Sequence, residues 1–448
     1  MNTIKKAFCL LLALTVLLSA CSPAQPETEA DPTRAEKHTK EETAAETEPS
    51  MEAETKPVKE GFRDGIIGKG KTNGSAGRKD LYAVDGEIAY APAADMREAE
   101  AGAVMPSVPG GKWVPGPHPG DGPDPAAGLL TAREWSDYKN VEEFLKYLAG
   151  QEIETIVKDR KISVDGLLRV SGLPGLQKLI LTDESGNVLC QAVTDVYGKA
   201  LLLFDRKDGS VLKLNAGGQT AEVRIQEQIT DLHFENHASD IKADKLDLML
   251  MVDTTGSMGD ELEYLKKELA NVVESVYKRN PGMSIRVSVN FYRDEGDEYV
   301  VKYYDFRDDL QTAVSLIEAQ SSYGGGDYPE AVHTAMDNAV FGHEWREEAV
   351  KLCYLVFDAP PHHEGDYVHV DEQTRKRVEN INETIEKAVA GAAAAGIRII
   401  PVVASGADED VETLGRFWAF RTGGTFVYLT NDSGIGYYHE TPDVPETK

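Results

Sequence analysis

The sequence predicts an α/β fold, a doubly wound and mostly parallel sheet, preceded by a small β-sandwich and a long disordered tether. Three observations carry that reading. From Lys245 onward, continuous apolar runs of strand length alternate with amphipathic helical stretches, the pattern of a parallel sheet covered on both faces. Over residues 151–237 the chain switches to short runs rich in Val, Ile and Leu, separated by turn residues, as in a sandwich. Between residues 22 and 60 there are eleven acidic and five basic residues and no aromatic side chain. Such a composition buries too little apolar surface to offset its ordering entropy.

The first residues set the compartment. Lys5 and Lys6 precede an apolar stretch over 7–18 and then Ser19-Ala20-Cys21, so residues 1–20 read as a secretory signal, too short to span a bilayer. Leu18-Ser19-Ala20-Cys21 resembles the bacterial lipobox, which implies that Cys21 is lipidated and becomes the first mature residue. An ordinary signal peptide with an incidental cysteine is the alternative. Acyl chains contribute about 0.8 kcal/mol per buried methylene, so the protein is expected to be exported and lipid-anchored at the cell membrane or cell surface. The rest of the composition fits. With 76 acidic against 47 basic residues the net charge is −29, which repels nucleic acid and anionic membrane as main partners. Four cysteines are too few for a disulfide-stapled fold.

Residues 21–130 read as lipid anchor and linker. The stretch 101–128 holds seven Gly and seven Pro, and a flexible chain over 22–130 has an r.m.s. reach of about 55–60 Å. Residues 131–150 carry a short helix, with Asn140 and Glu143 spaced as a capping box and Val141, Phe144, Leu145 and Leu148 on one stripe. Within the sandwich at 151–237, strands are expected over 176–182, 188–193 and 200–204, with Ser185-Gly186-Asn187 as a turn. Thr194-Asp195-Val196-Tyr197-Gly198 resembles the "TD..G" turn of carboxypeptidase-regulatory, transthyretin-like domains, which implies a structural spacer. Cys190 reads as a small buried hydrophobe.

The α/β domain spans 245–432, before a tail at 433–448. Strands are expected over 246–252, 285–292, 352–357, 397–403 and 425–429, with 299–306 as an antiparallel edge. Helices are expected over 308–320, 330–340, 372–390 and 408–421, plus one carrying Leu262, Leu265, Leu269, Val272, Val273 and Val276 on one face. Sites in such sheets lie at the carboxyl ends of the strands.

The first strand ends in Asp253-Thr254-Thr255-Gly256-Ser257. A carboxylate with hydroxyls two and four residues on, at a turn feeding a helix, gathers three oxygens around one point, which suits a hard cation such as Mg²⁺. The same residues would also serve as a helix N-cap. A second strand ends at Asp358, and a tight glycine turn, Gly324-Gly325-Gly326-Asp327-Tyr328-Pro329-Glu330, lies between them. Three acidic loops at one edge converge on a shared pocket. This resembles the von Willebrand factor A-type (vWA) domain with its metal-ion-dependent adhesion site, over residues 246–431. Carried over by residue, the D-x-[ST]-x-S motif is Asp253, Thr255 and Ser257, and the later strand-end aspartate is Asp358. Asp327 stands where the family commonly has threonine. The GGGD-x-PE loop, Tyr292-Arg293-Asp294 and Asp-Ala-Pro look like the hemicentin-type branch.

The resemblance implies a metal site of Asp253, Thr255, Ser257, Asp327 and Asp358 holding Mg²⁺, Mn²⁺ or Ca²⁺. It also implies that a partner's carboxylate can complete the shell. The function expected is capture of an extracellular protein or surface ligand, without catalysis. A metal-assisted hydrolase using Asp253, Asp327, Asp358 and His362 is the alternative, as is a scaffold for envelope protein assembly. His362, His363 and His369 read as loop histidines rather than zinc ligands. Asp294, Glu295 and Asp297 read as a solvated rim that Arg293 neutralises. Cys353 is expected to be buried in its strand, and no G-x-x-x-x-G-K-[ST] motif for nucleotide phosphate occurs. Mass spectrometry of the mature N-terminus should find lipid on Cys21, and Cys21→Ser should shift the folded protein from the membrane fraction. An unmodified Cys21, or cleavage elsewhere, would count against the anchor.

Overall fold

The structure, a computed structural model, describes residues 63–69, 132–235, 243–266, 278–366, 372–404 and 406–429. The expected signal peptide, Cys21, most of the linker, the tail at 433–448, His369 and the stripe positions Leu269, Val272, Val273 and Val276 lie outside the described residues.

In chain order, β1 (Gly65–Lys69) and β2 (Ala132–Trp135) precede helices α1 (Val141–Leu148) and α2 (Glu154–Asp159). Strands β3 (Gly166–Ser171), β4 (Lys178–Thr182), β5 (Val188–Val193), β6 (Ala200–Phe204), β7 (Val211–Ala216), β8 (Gln219–Arg224) and β9 (Ile229–His233) follow. The last part runs β10 (Lys245–Asp253), β11 (Ser284–Tyr292), β12 (Tyr299–Tyr303), α3 (Leu310–Glu318), α4 (Val332–Phe341), β13 (Val350–Phe357), α5 (Glu372–Val378), α6 (Ile381–Ala395), β14 (Ile397–Val403), α7 (Glu409–Thr422) and β15 (Phe426–Leu429).

The main sheet has the order β1-β12-β11-β10-β13-β14-β15-β2. Strands β11, β10, β13, β14 and β15 are mutually parallel, while β12, β1 and β2 are antiparallel additions. Successive residues of β10 point to opposite faces, as the pleat requires. Met249 and Met251 pack with Ala335 of α4, Ala388 of α6 and Phe420 of α7. Leu248, Leu250 and Val252 pack on the other face with Leu262 and with Ile317 of α3.

Both edges of this sheet differ from expectation. Strand β12 is not an edge, because β1 covers it with Ile66 opposite Lys302. The far edge is β2, with Trp135 opposite Phe426. A strand of four or five residues that pairs on one side only carries no periodicity long enough to read, so neither stands out in sequence from the linker or the short helix. The expected helix over 372–390 is two helices, α5 and α6. The capping box at α1 does not form: Asn140 makes no side-chain cap, and its Nδ2 donates instead to the Ser136 carbonyl at 2.8 Å.

Strands β3–β9 form two sheets, β6-β3-β9 and β5-β4-β7-β8, whose buried residues (Leu168 and Leu202 with Leu181 and Leu214) make one cluster. In the Thr194–Gly198 turn, Asp195 Oδ1 accepts the N–H groups of Tyr197 and Lys199, both at 2.9 Å. Cys190, half-buried, and Cys353, buried, are free thiols. Among the described residues no helix is long and apolar enough to cross a membrane.

One buried ion pair ties the N-terminal arm to the last helix. Arg416 of α7 reaches both carboxylate oxygens of Asp137 at 2.9 and 3.0 Å and lies 3.8 Å from the Tyr147 ring centre. Both charged side chains are buried. Asp137→Ala would leave the buried guanidinium with Glu412 alone, at 3.0 Å, and should cost up to about 3–5 kcal/mol of unfolding free energy measured in urea. A cost under about 1 kcal/mol would mean that the arm is not integral to this fold.

Candidate metal centre

The parallel register places Asp253 beside Tyr292 and Val252 beside Val356, so β10, β11 and β13 all finish at one edge. The loops that follow them meet there. Asp253 is fully buried, and its Oδ1 accepts both the N–H and the hydroxyl of Thr255, at 2.8 and 2.7 Å. Its other oxygen, Oδ2, is buried with no hydrogen-bond partner. Thr255 precedes the 3₁₀ turn Gly256–Met258 but makes no side-chain cap, so its hydroxyl serves Asp253 instead. Ser257 is exposed, with its Oγ 3.4 Å from that of Thr255.

The glycine loop seats against this turn. Gly256 N–H donates to the Gly324 carbonyl at 3.2 Å, and Gly325 N–H donates to Asp297 Oδ2 at 2.9 Å. Gly324 and Gly325 have φ of 91° and 79°, where L side chains are strained. A side chain there would also displace its neighbours: a Cβ on Gly324 would meet Asp297 Oδ2 at 2.4 Å, and one on Gly325 would meet Glu330 Oε1 at 2.8 Å. The glycines let Glu330 come in. Its N–H donates to the Pro360 carbonyl at 2.9 Å, which fixes it next to the loop that carries Asp358. Glu330 and Asp358 are 3% and 4% exposed, and each has a buried oxygen without a partner, Oε2 and Oδ1 respectively.

Three buried carboxylates therefore lie at the sheet edge with their charges acting on one another, and no Lys or Arg pairs with any of them among the described residues. Burial raises all three. Asp253 is pushed up to about 6 against the donors from Thr255. Asp358 rises to about 8 through burial and then the charge of Asp253, with Ser257 opposing. Glu330 rises to about 11 through burial and then Asp253, Asp294 and Asp358.

Asp327, expected in this set, stands elsewhere. It is exposed, and the groups that act on it are Asp294 and His362. Glu330 takes the inner position instead, three residues on in the same motif. Its local signal, an acidic residue just ahead of a helix, equally describes a residue that favours a helix dipole. Asp294 is no solvated rim: it is 3% exposed, and His362, fully buried, places Nε2 2.7 Å from its Oδ1. Glu295 is also buried, and its partner is Arg377 at 2.6–3.0 Å. Arg293 instead donates to the Thr254 and Ser321 carbonyls at 3.2 and 2.8 Å and stacks 4.5 Å from the Tyr299 ring centre.

Residues 247–401 match the family model for the von Willebrand factor A domain. This segment resembles a vWA domain. An ariadne-like RING finger protein of Acanthamoeba polyphaga mimivirus is 32% identical over 124 residues, 27% of this chain; the chain spans 12% of that protein's length. The crystal structure of a conserved hypothetical protein, BatB from Bacteroides thetaiotaomicron, is similar at 13% identity and a TM-score of 0.28, over 41% of this chain and 89% of that one. A cavity of about 490 Å³ lies between β6, α6 and α7, lined by Leu203, Glu386 and Trp418 among others and by none of Asp253, Glu330 and Asp358.

With divalent cations chelated, the Asp358 carboxyl keeps its proton longer in the folded chain than in the unfolded one. Stability is then intact below the ordinary carboxylate range and is lost as pH rises toward about 8. Melting temperature measured in EDTA should fall over that window, and Asp358→Asn should flatten the fall. An unchanged slope in Asp358→Asn would assign the pH dependence to other groups.

Proposed function

We propose that this protein is exported, held at the cell membrane or surface by lipid on Cys21, and captures a protein ligand through a divalent cation in its vWA domain. The observation that carries the reading is the set of three buried, unpartnered carboxylate oxygens on Asp253, Glu330 and Asp358. Burying such oxygens without a partner costs several kcal/mol, and a cation removes that cost. Oxygen-only donors suit Mg²⁺, with Mn²⁺ and Ca²⁺ as substitutes. Asp253, Glu330 and Asp358 would hold the ion, with the hydroxyls of Thr255 and Ser257 completing the protein side. One divalent ion against three carboxylates leaves one negative charge, so a bound cation also draws their proton affinities down.

The surroundings favour a macromolecular partner. Tyr323 and Tyr328, 75% and 43% exposed, flank the glycine loop, and exposed tyrosines beside a closed polar centre provide contact area for a protein surface. The activity proposed is binding without turnover.

A ligand that binds only the native state stabilises it by about 2.7 kcal/mol at a hundredfold excess over Kd. Mg²⁺ should therefore raise the melting temperature of the full chain. Asp253→Ala and Glu330→Gln should abolish the response, while Asp327→Thr should keep it. Capture from a surface-ligand array should require Mg²⁺, reverse with EDTA, and occur without hydrolysis of esters, phosphates or peptides. Identical melting and identical capture in Mg²⁺ and in EDTA would sink the reading.

A further inference from the structure

The cluster of Asp294, Asp327 and His362 lies outside the five donors of the first site. Each residue offers one ligand atom, and these atoms lie within 4.8 Å of one another. Asp294 and His362 are buried while Asp327 is exposed, so the group is closed on the protein side and open to solvent on the other. A cation bound in such a setting keeps positions for water or a partner's atom. Arg160 fixes the histidine loop: it donates to the His362 carbonyl at 3.0 Å and pairs with Asp410.

Two buried side chains with unpartnered polar atoms border the cluster and point to a ligand. His333, in the first turn of α4, is 1% exposed, neither ring nitrogen has a hydrogen-bond partner, and Nε2 lies 3.9 Å from Glu295 Oε1. After burial, the neighbour acting most on it is His362. Glu330, with its own buried and unpartnered oxygen, is acted on by Asp294 as well as by Asp253 and Asp358, so it stands between the two groups. Native folds seldom bury unpartnered polar atoms, and a missing ion is one of the standard reasons.

We propose that Asp294, Asp327 and His362 hold a second divalent cation, of the zinc class, beside the first site. One imidazole nitrogen with two carboxylates suits a borderline transition ion, whereas Mg²⁺ favours oxygen alone. The charge of the region supports it. One divalent ion against the five carboxylates of both groups leaves three negative charges, and two ions leave one.

The probe is Zn²⁺, titrated calorimetrically into the full chain in excess Mg²⁺, with retained zinc counted after gel filtration. The wild type should keep one equivalent of Zn²⁺. Asp327→Asn and His362→Gln should weaken it at least about tenfold, the scale on which even outer-shell partners of a metal ligand matter. Asp327 is exposed, so its variant tests the site without disturbing the core; its melting in EDTA should match the wild type. Asp253→Asn should retain the zinc. Unchanged zinc affinity in both Asp327→Asn and His362→Gln overturns the proposal. So does zinc lost from Asp253→Asn but kept by Asp327→Asn, because the ion then occupies the first site. If Mg²⁺ leaves the melting temperature unmoved while zinc is still lost with Asp327 and His362, the second site stands and the adhesion reading fails.

Discussion

Strand β10 is buried from Leu246 to Asp253 and paired on both sides by parallel neighbours, so neither of its two aspartates can be solvated by water. The chain treats the two differently. Asp247, near the start of the strand, is met by two guanidinium groups, with Arg286 at 2.7–3.0 Å and Arg346 at 2.8 Å. Asp253, at the end, receives the N–H and hydroxyl of Thr255 and feels the Tyr292 hydroxyl, but no Lys or Arg pairs with it among the described residues. A buried carboxylate neutralised by the protein is structural. One that the protein leaves unneutralised is costly to bury, and it is this cost that the proposed cation would remove.

That constraint governs the loops around it. The backbone of the glycine turn must pass within hydrogen-bonding distance of Gly256 and Asp297, which only residues lacking a Cβ permit at Gly324 and Gly325. Their close approach delivers Glu330 to Asp358 and turns Asp327 outward to Asp294 and His362. Two polar centres thus arise from one seven-residue motif, split by the turn between its first and second acidic residues. The β module also participates, since Arg160 holds the His362 carbonyl from a distance of 202 residues along the chain.

Much of the fold was legible in the sequence. The parallel strands 246–252, 285–292, 352–357 and 397–403 lie within one or two residues of β10, β11, β13 and β14, because a strand buried on both faces must be apolar at every position. The hairpin of β4 and β5 was readable from its turn residues, Ser185-Gly186-Asn187. Edges were not. Gly65–Lys69 and Ala132–Trp135 gain their identity only from the exposed hydrogen-bonding rows of β12 and β15, and a four-residue stretch has no pattern that announces such a partner.

The sequence by itself determined that this chain ends in a covered parallel sheet and that acidic residues follow its strands. Both are consequences of local hydrophobic period and of where that period stops. Only the tertiary structure decided which carboxylates share a centre. Asp253 meets Asp358 across 105 residues, Glu330 rather than Asp327 joins them, and Asp294 finds His362 at a separation of 68. Spacing in the chain sets which edge a residue reaches. Strand register, the missing Cβ atoms of the glycine turn and the desolvation of that edge decide what it faces when it arrives.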